Sequence, residues 1–259
     1  MARVDSDGDV EKQQPPPESA GGRPAPVSWL SLPRKDQLFI LFLCRLVDFL
    51  QFASMQAYVF YQLRHMDDSL SDGAVSKQAG LLQACFTGAQ VLTAMLWGKA
   101  ADAHWCGRKR AVAIGLAGTA VSCLGYGFAT TFFWAAFWRV FGGAVNGTVG
   151  VVRTMLSENI KEKKYQSRAF LILPMSFNIA NILGPFLGGM LATPAVTMPG
   201  IFSTGRLFGY SWIQAYPFAL PSLMNFLALS SVTAVVMLFL EEVSMARPLV
   251  FMPWFVPHN

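Results

Sequence analysis

Long stretches of this chain contain no charged residue, and short polar segments separate them. Asp, Glu, Lys and Arg are absent from 78–98, 111–138, 169–205 and 207–240. A helix needs roughly 20 apolar residues to cross the hydrocarbon core of a bilayer. The pattern therefore predicts an all-α membrane protein, a bundle of six transmembrane helices. The predicted spans are about 38–63, 80–100, 111–128, 131–152, 168–192 and 216–240.

The third and fourth spans come from one segment, 111–152, whose 42 residues carry a single charge at Arg139. One helix of that length would be about 63 Å long, roughly twice the thickness of the hydrocarbon core. We therefore expect a hairpin of two helices that turns near 127–131.

Both ends of the chain are expected to lie outside the bundle, which occupies 34–242. Residues 1–33 are polar and rich in proline and glycine, which predicts a disordered cytoplasmic tail. Residues 243–259 contain Pro248, Pro253 and Pro257 and are too short for a seventh span. We expect them to be a short C-terminal tail, the beginning of a truncated linker.

Charge supports this topology and excludes several functions. Fifteen Lys and Arg residues fall on the side of the N-terminus and three on the opposite side, which predicts that both termini are cytosolic. The net charge of +5 then reflects basic cytosolic loops, so no nucleic-acid partner is expected. The four cysteines and three histidines show no ligand spacing, and no HExxH, GxSxG or phosphate-loop motif occurs. We expect no metal, no cofactor and no enzymatic activity.

The first predicted span contains an acid and a base three residues apart, Arg45 and Asp48, on one helical face with Gln51 and Met55. A titratable group within a span is expensive and is often part of an ion pathway, which makes Asp48 a candidate proton carrier. A structural ion pair that holds the span in place is the alternative. Gln51 and Met55 are candidates to line a cavity.

A loop between the second and third spans combines an acid at a helix end with a glycine and basic residues. It contains Gly98, Asp102, Gly107, Arg108 and Lys109, and this arrangement resembles motif A of the major facilitator superfamily. The resemblance implies a gate at a helix junction, where the acid and the bases hold or release two helices. Gly107 follows Asp102 by five residues instead of three, as in a fungal branch of the superfamily. An ordinary basic cytosolic loop is the alternative.

Two further motifs lie in the fourth and fifth spans. Arg139 lies on one helical stripe with small and polar residues. This arrangement resembles motif B, in which the arginine is implicated in proton coupling. A snorkelling arginine near the interface is the alternative. The fifth span resembles motif C, typical of antiporters, although generic helix packing explains such glycine pairs as well. The motif B residues are Arg139, Gly142, Gly143 and Asn146; the motif C residues are Gly184, Pro185, Gly188 and Gly189; Asn178 and Asn181 share the motif C stripe and are expected to line a polar cavity.

Together the motifs resemble the N-terminal six-helix half of a fungal drug:proton antiporter-like transporter. This implies proton-coupled export of small organic molecules from a plasma or vacuolar membrane. The expected partners are the lipid bilayer, a small-molecule substrate, protons, and a second copy or homologous half. We expect a truncated product in preference to a half-transporter that dimerises, and in either case inactivity of the chain alone. A non-transporting membrane partner of full-length relatives is the alternative.

Overall fold

The computed structural model describes residues 34–160, 162–192 and 216–242, which form a bundle of α-helices. The predicted tails at 1–33 and 243–259 lie outside these residues, as does the loop 193–215 between the fifth and sixth spans. Within the described ranges the helices are α1 (Lys35–Met66), α2 (Asp72–Asp102), α3 (Gly107–Gly127), α4 (Phe132–Val145), α5 (Thr148–Asn159), α6 (Lys163–Phe170), α7 (Ile172–Ala192) and α8 (Ala219–Phe239).

Several of these helices have the length and composition of membrane spans. Four helical segments of the described chain are long and apolar enough to cross a bilayer, and they correspond to α1, α2, α6 together with α7, and α8. The helices α1 and α2 extend beyond the predicted spans at both ends. Polar residues outside the hydrocarbon core continue a helix without cost, so hydropathy locates the span and not the helix ends.

The fourth predicted span, 131–152, is not one helix in the structure. The helix α4 ends at Val145 and α5 begins at Thr148, with Asn146 and Gly147 between them. Glycine has a low helix propensity, and the Asn146 side chain is engaged outside the helix. A similar interruption at Leu171 separates α6 from α7 within the predicted span 168–192.

The helix α1 packs most closely against α7, where glycines let the two backbones approach. A Cβ atom built on Gly188 would lie 2.5 Å from the Ser54 carbonyl oxygen, and one built on Gly184 would lie 2.6 Å from the Ala53 Cβ. Gly189 faces away, and a Cβ there would have no described atom within 4 Å. Small residues at such crossings are the usual means of close helix packing in membranes.

Two hydrophobic clusters fill the bundle, and a polar layer separates them. One cluster includes Leu41, Leu116 and Leu229, and the other includes Tyr58 and Leu82. Between these clusters along α1, α3, α5 and α8 lie buried polar side chains. They are Asp48, Gln51, Ser54, Ser122, Asn146, Thr148, Ser222 and Asn225. Buried polar groups in a membrane bundle are costly, so this layer is where function is expected.

Candidate functional site

The Asp48 carboxylate at the centre of the polar layer accepts three hydrogen bonds. Arg45 donates from a guanidinium nitrogen to Oδ2 at 2.5 Å, and Asn146 donates from Nδ2 to Oδ1 at 2.6 Å. Thr148 is 2.9 Å from Oδ2 through its hydroxyl. All four residues are at most 5% exposed. The pair predicted from i, i+3 spacing thus forms, and it is embedded in a network with α5 and the α4–α5 junction.

Arg45 is held independently of Asp48 by two other contacts. Its guanidinium lies 4.3 Å from the centre of the Phe49 ring, and it donates to the Thr148 hydroxyl at 3.3 Å. The Thr148 hydroxyl is also 2.7 Å from the Asn146 side-chain oxygen. Since a hydroxyl has one hydrogen, Thr148 can donate to Asp48 or to Asn146 but not to both at once. The network therefore has two hydrogen-bond arrangements, which differ in the acceptor of the Thr148 hydroxyl hydrogen.

The backbone at the junction between α4 and α5 is satisfied by side chains of α2. Gln90 donates from Nε2 to the Asn146 carbonyl at 3.3 Å, and the Trp97 indole donates to the Ala144 carbonyl at 2.8 Å. A Cβ atom on Gly147 would collide with the Trp97 ring. Non-helical backbone at membrane depth requires such partners. The sequence pattern identified Asn146 as a candidate site residue but not Thr148, Gln90 or Trp97. The Asn-Gly pair within an apolar run was the signal that could have indicated a break in the helix at this point.

Arg139 lies inside the bundle on the other side of the polar layer. It is 3% exposed, its guanidinium lies 4.2 Å from the centre of the Phe86 ring, and it donates to the Gln83 side-chain oxygen at 3.2 Å. The guanidinium does not reach towards a surface, so the snorkelling alternative does not describe this geometry. Within the described residues no carboxylate forms an ion pair with it.

A small cleft with room for about one water molecule adjoins Arg139, and Gln51 and Met55 line it. Three further polar atoms in its wall have no hydrogen-bond partner among the described residues: Arg139 Nε, Tyr126 Oη and Asn225 Oδ1. The cleft thus offers one donor, one acceptor and one hydroxyl. These atoms suit a water molecule or a polar group of similar size.

The two asparagines predicted to line a polar cavity do not line this cleft. Asn178 and Asn181 are exposed on α7, and Asn181 donates to the Phe177 carbonyl of its own helix at 3.0 Å. The described residues leave this face of α7 uncovered, so a place in a cavity remains a prediction for both. Pro185 lies inside α7, next to the glycines that contact α1.

The motif A residues meet at one end of the bundle, which we call the charged end (Asp102, Arg108, Glu158 and Glu242). Arg108 contacts Asp102 Oδ1 at 3.3 Å and forms an ion pair with Glu158. The Glu242 carboxylate accepts the backbone N–H of Arg108 at 2.7 Å and thereby caps α3. The Arg108 side chain is only 4% exposed, which is unlike an ordinary basic loop.

Gly107 begins α3 with φ at +72°, a conformation that favours glycine, and a Cβ there would lie 2.6 Å from the Glu242 carboxylate. The Lys109 backbone N–H also points to this carboxylate, at 3.4 Å. Gly98 faces open space within the described residues. Sequence analysis named neither Glu158 nor Glu242 as part of this site.

Among the described residues these features do not form a metal site. Within the described ranges no group of three or more His, Cys, Asp or Glu side chains is placed to hold a metal ion. The four cysteines are free thiols.

A helical bundle with apolar spans and charged pairs buried inside it defines a multi-pass integral membrane protein. The family model of the major facilitator superfamily matches residues 38–248, and the chain belongs to that superfamily. The predicted fold, one half of a major facilitator bundle, is confirmed. A solved structure, that of the human organic anion transporter MFSD10 (TETRAN), matches 82% of this chain and 48% of its own, with a TM-score of 0.62 and 19% identity. At that identity the likeness concerns the fold alone.

Fungal transporters are among the similar sequences. The major facilitator superfamily multidrug transporter mfsB of Aspergillus fumigatus is 36% identical over 214 residues, which are 83% of this chain and 34% of the relative. The efflux pump azaK of Aspergillus niger is 30% identical over 206 residues, which are 80% of this chain and 40% of the relative. The resemblance to a fungal drug-efflux member is thereby confirmed. The chain spans less than half the length of both relatives.

Proposed function

We propose that this chain is one six-helix half of a secondary transporter that exports small organic molecules in exchange for protons. Its membership of the superfamily and its likeness to a multidrug transporter and an efflux pump support the transport function. In such transporters the substrate path lies between two bundles. This chain supplies one of them, and a continuation of the same polypeptide, a second copy or a homologous half would supply the other.

The observation that carries the proton coupling is the buried Asp48 network. Asp48 is a carboxylate inside an apolar helix, 5% exposed, and three donors converge on it. An ionisable residue within a span usually marks an ion pathway. Protonation would turn an acceptor of three hydrogen bonds into a neutral group with a donor, so the network would rearrange. Arg45 would lose its counter-charge at the same moment.

The charged end is proposed to face the cytosol, with both termini on that side. This orientation places fifteen of the basic residues in the cytosol and follows the positive-inside rule. A plasma or vacuolar membrane would serve the proposed export from the cytosol.

Replacing Asp48 with asparagine is expected to abolish proton-driven transport. The amide keeps the shape of the carboxylate but cannot carry a proton. It also leaves Arg45 without a counter-charge, so the amount of folded protein should fall. The double change Arg45→Gln/Asp48→Asn removes both charges and should restore that amount. Efflux of fluorescent substrates is measured in vesicles with an imposed pH gradient, beside expression and detergent stability, in an assembly that contains both halves.

Asp72→Asn is the matched control for this experiment. This variant makes the same chemical change at an exposed acid, which lies at the start of α2 and pairs with Arg64. We expect it to leave pH-driven efflux intact. Restored stability in the double variant together with unimpaired pH-driven efflux would show that Asp48 is only the structural partner of Arg45.

A second function, a non-transporting partner of full-length relatives, is favoured by the surface of α2. This helix leaves large apolar side chains uncovered, with Leu92 81% and Met95 76% exposed. Such a face suits association with another bundle in the membrane as well as with lipid.

The two functions differ in what the purified chain does. We expect the isolated monomer, reconstituted in vesicles, to give no measurable efflux, and efflux to appear when a second six-helix half is co-reconstituted. Robust efflux by the monomer would contradict the half-transporter. Absence of efflux with every second half, while a full-length relative changes its activity on adding the chain, would favour the non-transporting partner.

A further inference from the structure

The non-helical junction between α4 and α5 is held on one side by the carboxylate of Asp48. Asn146 directly follows α4 and reaches Asp48 Oδ1 at 2.6 Å, and Thr148 begins α5 and reaches Oδ2 at 2.9 Å. One side chain of α1 therefore ties the C-cap residue of α4 to the first residue of α5. Charge-assisted hydrogen bonds of this kind are roughly twice as strong as neutral ones.

On its other side the junction is held by groups that do not titrate. The Gln90 amide and the Trp97 indole of α2 donate to the carbonyls of Asn146 and Ala144, at 3.3 and 2.8 Å. These bonds are the same whether or not Asp48 carries a proton. The α2 contacts therefore act as a fixed support, and only the α1 contacts depend on charge.

We propose that the Asn146–Gly147 junction is a hinge in the fourth span, which ionised Asp48 holds closed and protonated Asp48 releases. The inference rests on the proposed role of Asp48 as the proton carrier. When the carboxylate takes up a proton from water, one oxygen becomes an O–H donor, and it can no longer accept from the donor that faces it. The angle between α4 and α5 then becomes free to change, and hinges of this kind often consist of a few residues at element ends.

The charged and titratable groups around Asp48 leave this carboxylate as the group that switches. On α1 they are Arg45, which pairs with it, and Cys44; on α3, Cys123 is within electrostatic reach. A thiol is mostly protonated, and therefore neutral, at pH 7 and below. The helices α7 and α8 contain no titratable side chain. On α5, Arg153 is exposed, and Glu158 pairs with Arg108 at the charged end. On α4, Arg139 contacts α2. The helix α2 itself reaches the junction with two side chains that do not titrate, Gln90 and Trp97.

Hydrogen exchange of the full chain in detergent micelles tests the hinge without a transport assay. Amide exchange is measured by mass spectrometry at pH 7 for peptides that cover 144–150, in the wild type and in Asp48→Asn, whose neutral amide stands for the protonated carboxylate. We expect exchange in Asp48→Asn to be about tenfold or more faster than in the wild type, because hydrogen bonds to a charged group are lost. Peptides from α3 and α8 should keep their protection, which shows that the bundle remains folded.

Three variants identify the contacts responsible. Asp48→Asn removes the charge that both junction residues contact, and Thr148→Val removes one of the two contacts, so Thr148→Val should raise exchange at 144–150 by less than Asp48→Asn does. Thr154→Val is the matched control, since the Thr154 hydroxyl bonds to Gly150 of its own helix at 3.1 Å, and it should behave as the wild type. Exchange at 144–150 in Asp48→Asn at the wild-type rate would overturn the hinge.

The same variants separate this inference from the proposed function. If Asp48→Asn raises exchange at 144–150 but leaves proton-driven efflux intact, the hinge stands and the coupling role fails. If efflux is lost while exchange at 144–150 is unchanged, the coupling role stands and the hinge is wrong.

Discussion

Replacing Gly188 with alanine is expected to remove much of the folded protein, and valine is expected to remove nearly all of it. The new Cβ would lie 2.5 Å from the Ser54 carbonyl oxygen and 2.8 Å from the Ser54 hydroxyl. A backbone carbonyl inside a helix cannot move aside as a flexible side chain can, so α7 must shift away from α1. Overpacking of this kind costs about 1–3 kcal/mol for small additions and more for large ones. Fluorescence-detected size-exclusion chromatography and thermal unfolding in detergent give the measurement.

Gly189 provides a control one residue along the same helix. A Cβ there would meet no described atom within 4 Å, so alanine and valine should change the unfolding temperature by no more than about 1 °C. The comparison separates close packing against α1 from a general need for glycine in this helix. Equal losses at both positions would contradict the packing explanation and indicate that backbone flexibility is what this segment requires.

Much of the fold could be predicted because membrane helices follow hydropathy so directly. Charge-free runs located α2, α3, α7 and α8, since an unpaired charge in the hydrocarbon core is costly and such runs therefore mark the spans. Spacing also predicted the Arg45–Asp48 pair, because residues three apart on a helix share a face. Both features depend on residues that are close together in the sequence, so the sequence pattern alone is enough to predict them.

The junction between α4 and α5 could not be predicted in the same way. Small and polar residues continue at helical spacing from Arg139 through Asn146, so the local pattern favours one unbroken helix. What ends α4 there is a contact with Asp48, 98 residues earlier in the chain. Thr148 gave no signal at all, since a hydroxyl in a span usually bonds to its own helix.

The acidic part of the charged end was missed for a similar reason. Glu242 lies 134 residues after the N–H group that it accepts, and Glu158 ends a helix that sequence analysis joined to α4. Motif A identified the base and one acid. The structure shows that three carboxylates, from Asp102, Glu158 and Glu242, meet Arg108, two through its guanidinium and one through its backbone N–H.

Replacing Arg108 with glutamine is therefore expected to lower the stability of the bundle by about 2 kcal/mol or more. The side chain is 4% exposed, and its removal leaves the Asp102 and Glu158 carboxylates facing each other without a cation. For a chain of this size that loss lowers the unfolding temperature by about 5 °C or more, which thermal unfolding in detergent can measure. Because both acids are partly exposed, salt should screen their repulsion, so 0.5 M NaCl is expected to recover part of the loss.

Lys109→Gln removes the same charge from the neighbouring residue and is the matched control. The contact described for Lys109 is made by its backbone N–H, 3.4 Å from Glu242, so the variant should unfold within about 1 °C of the wild type. Equal losses in the two variants would mean that the total positive charge of this loop matters and the position of the Arg108 guanidinium does not. In an assembly that transports, Arg108→Gln should slow turnover while substrate affinity is unchanged, because the charged end joins helix ends and lies far from the polar layer. Loss of affinity at an unchanged turnover rate would instead place Arg108 on the substrate path.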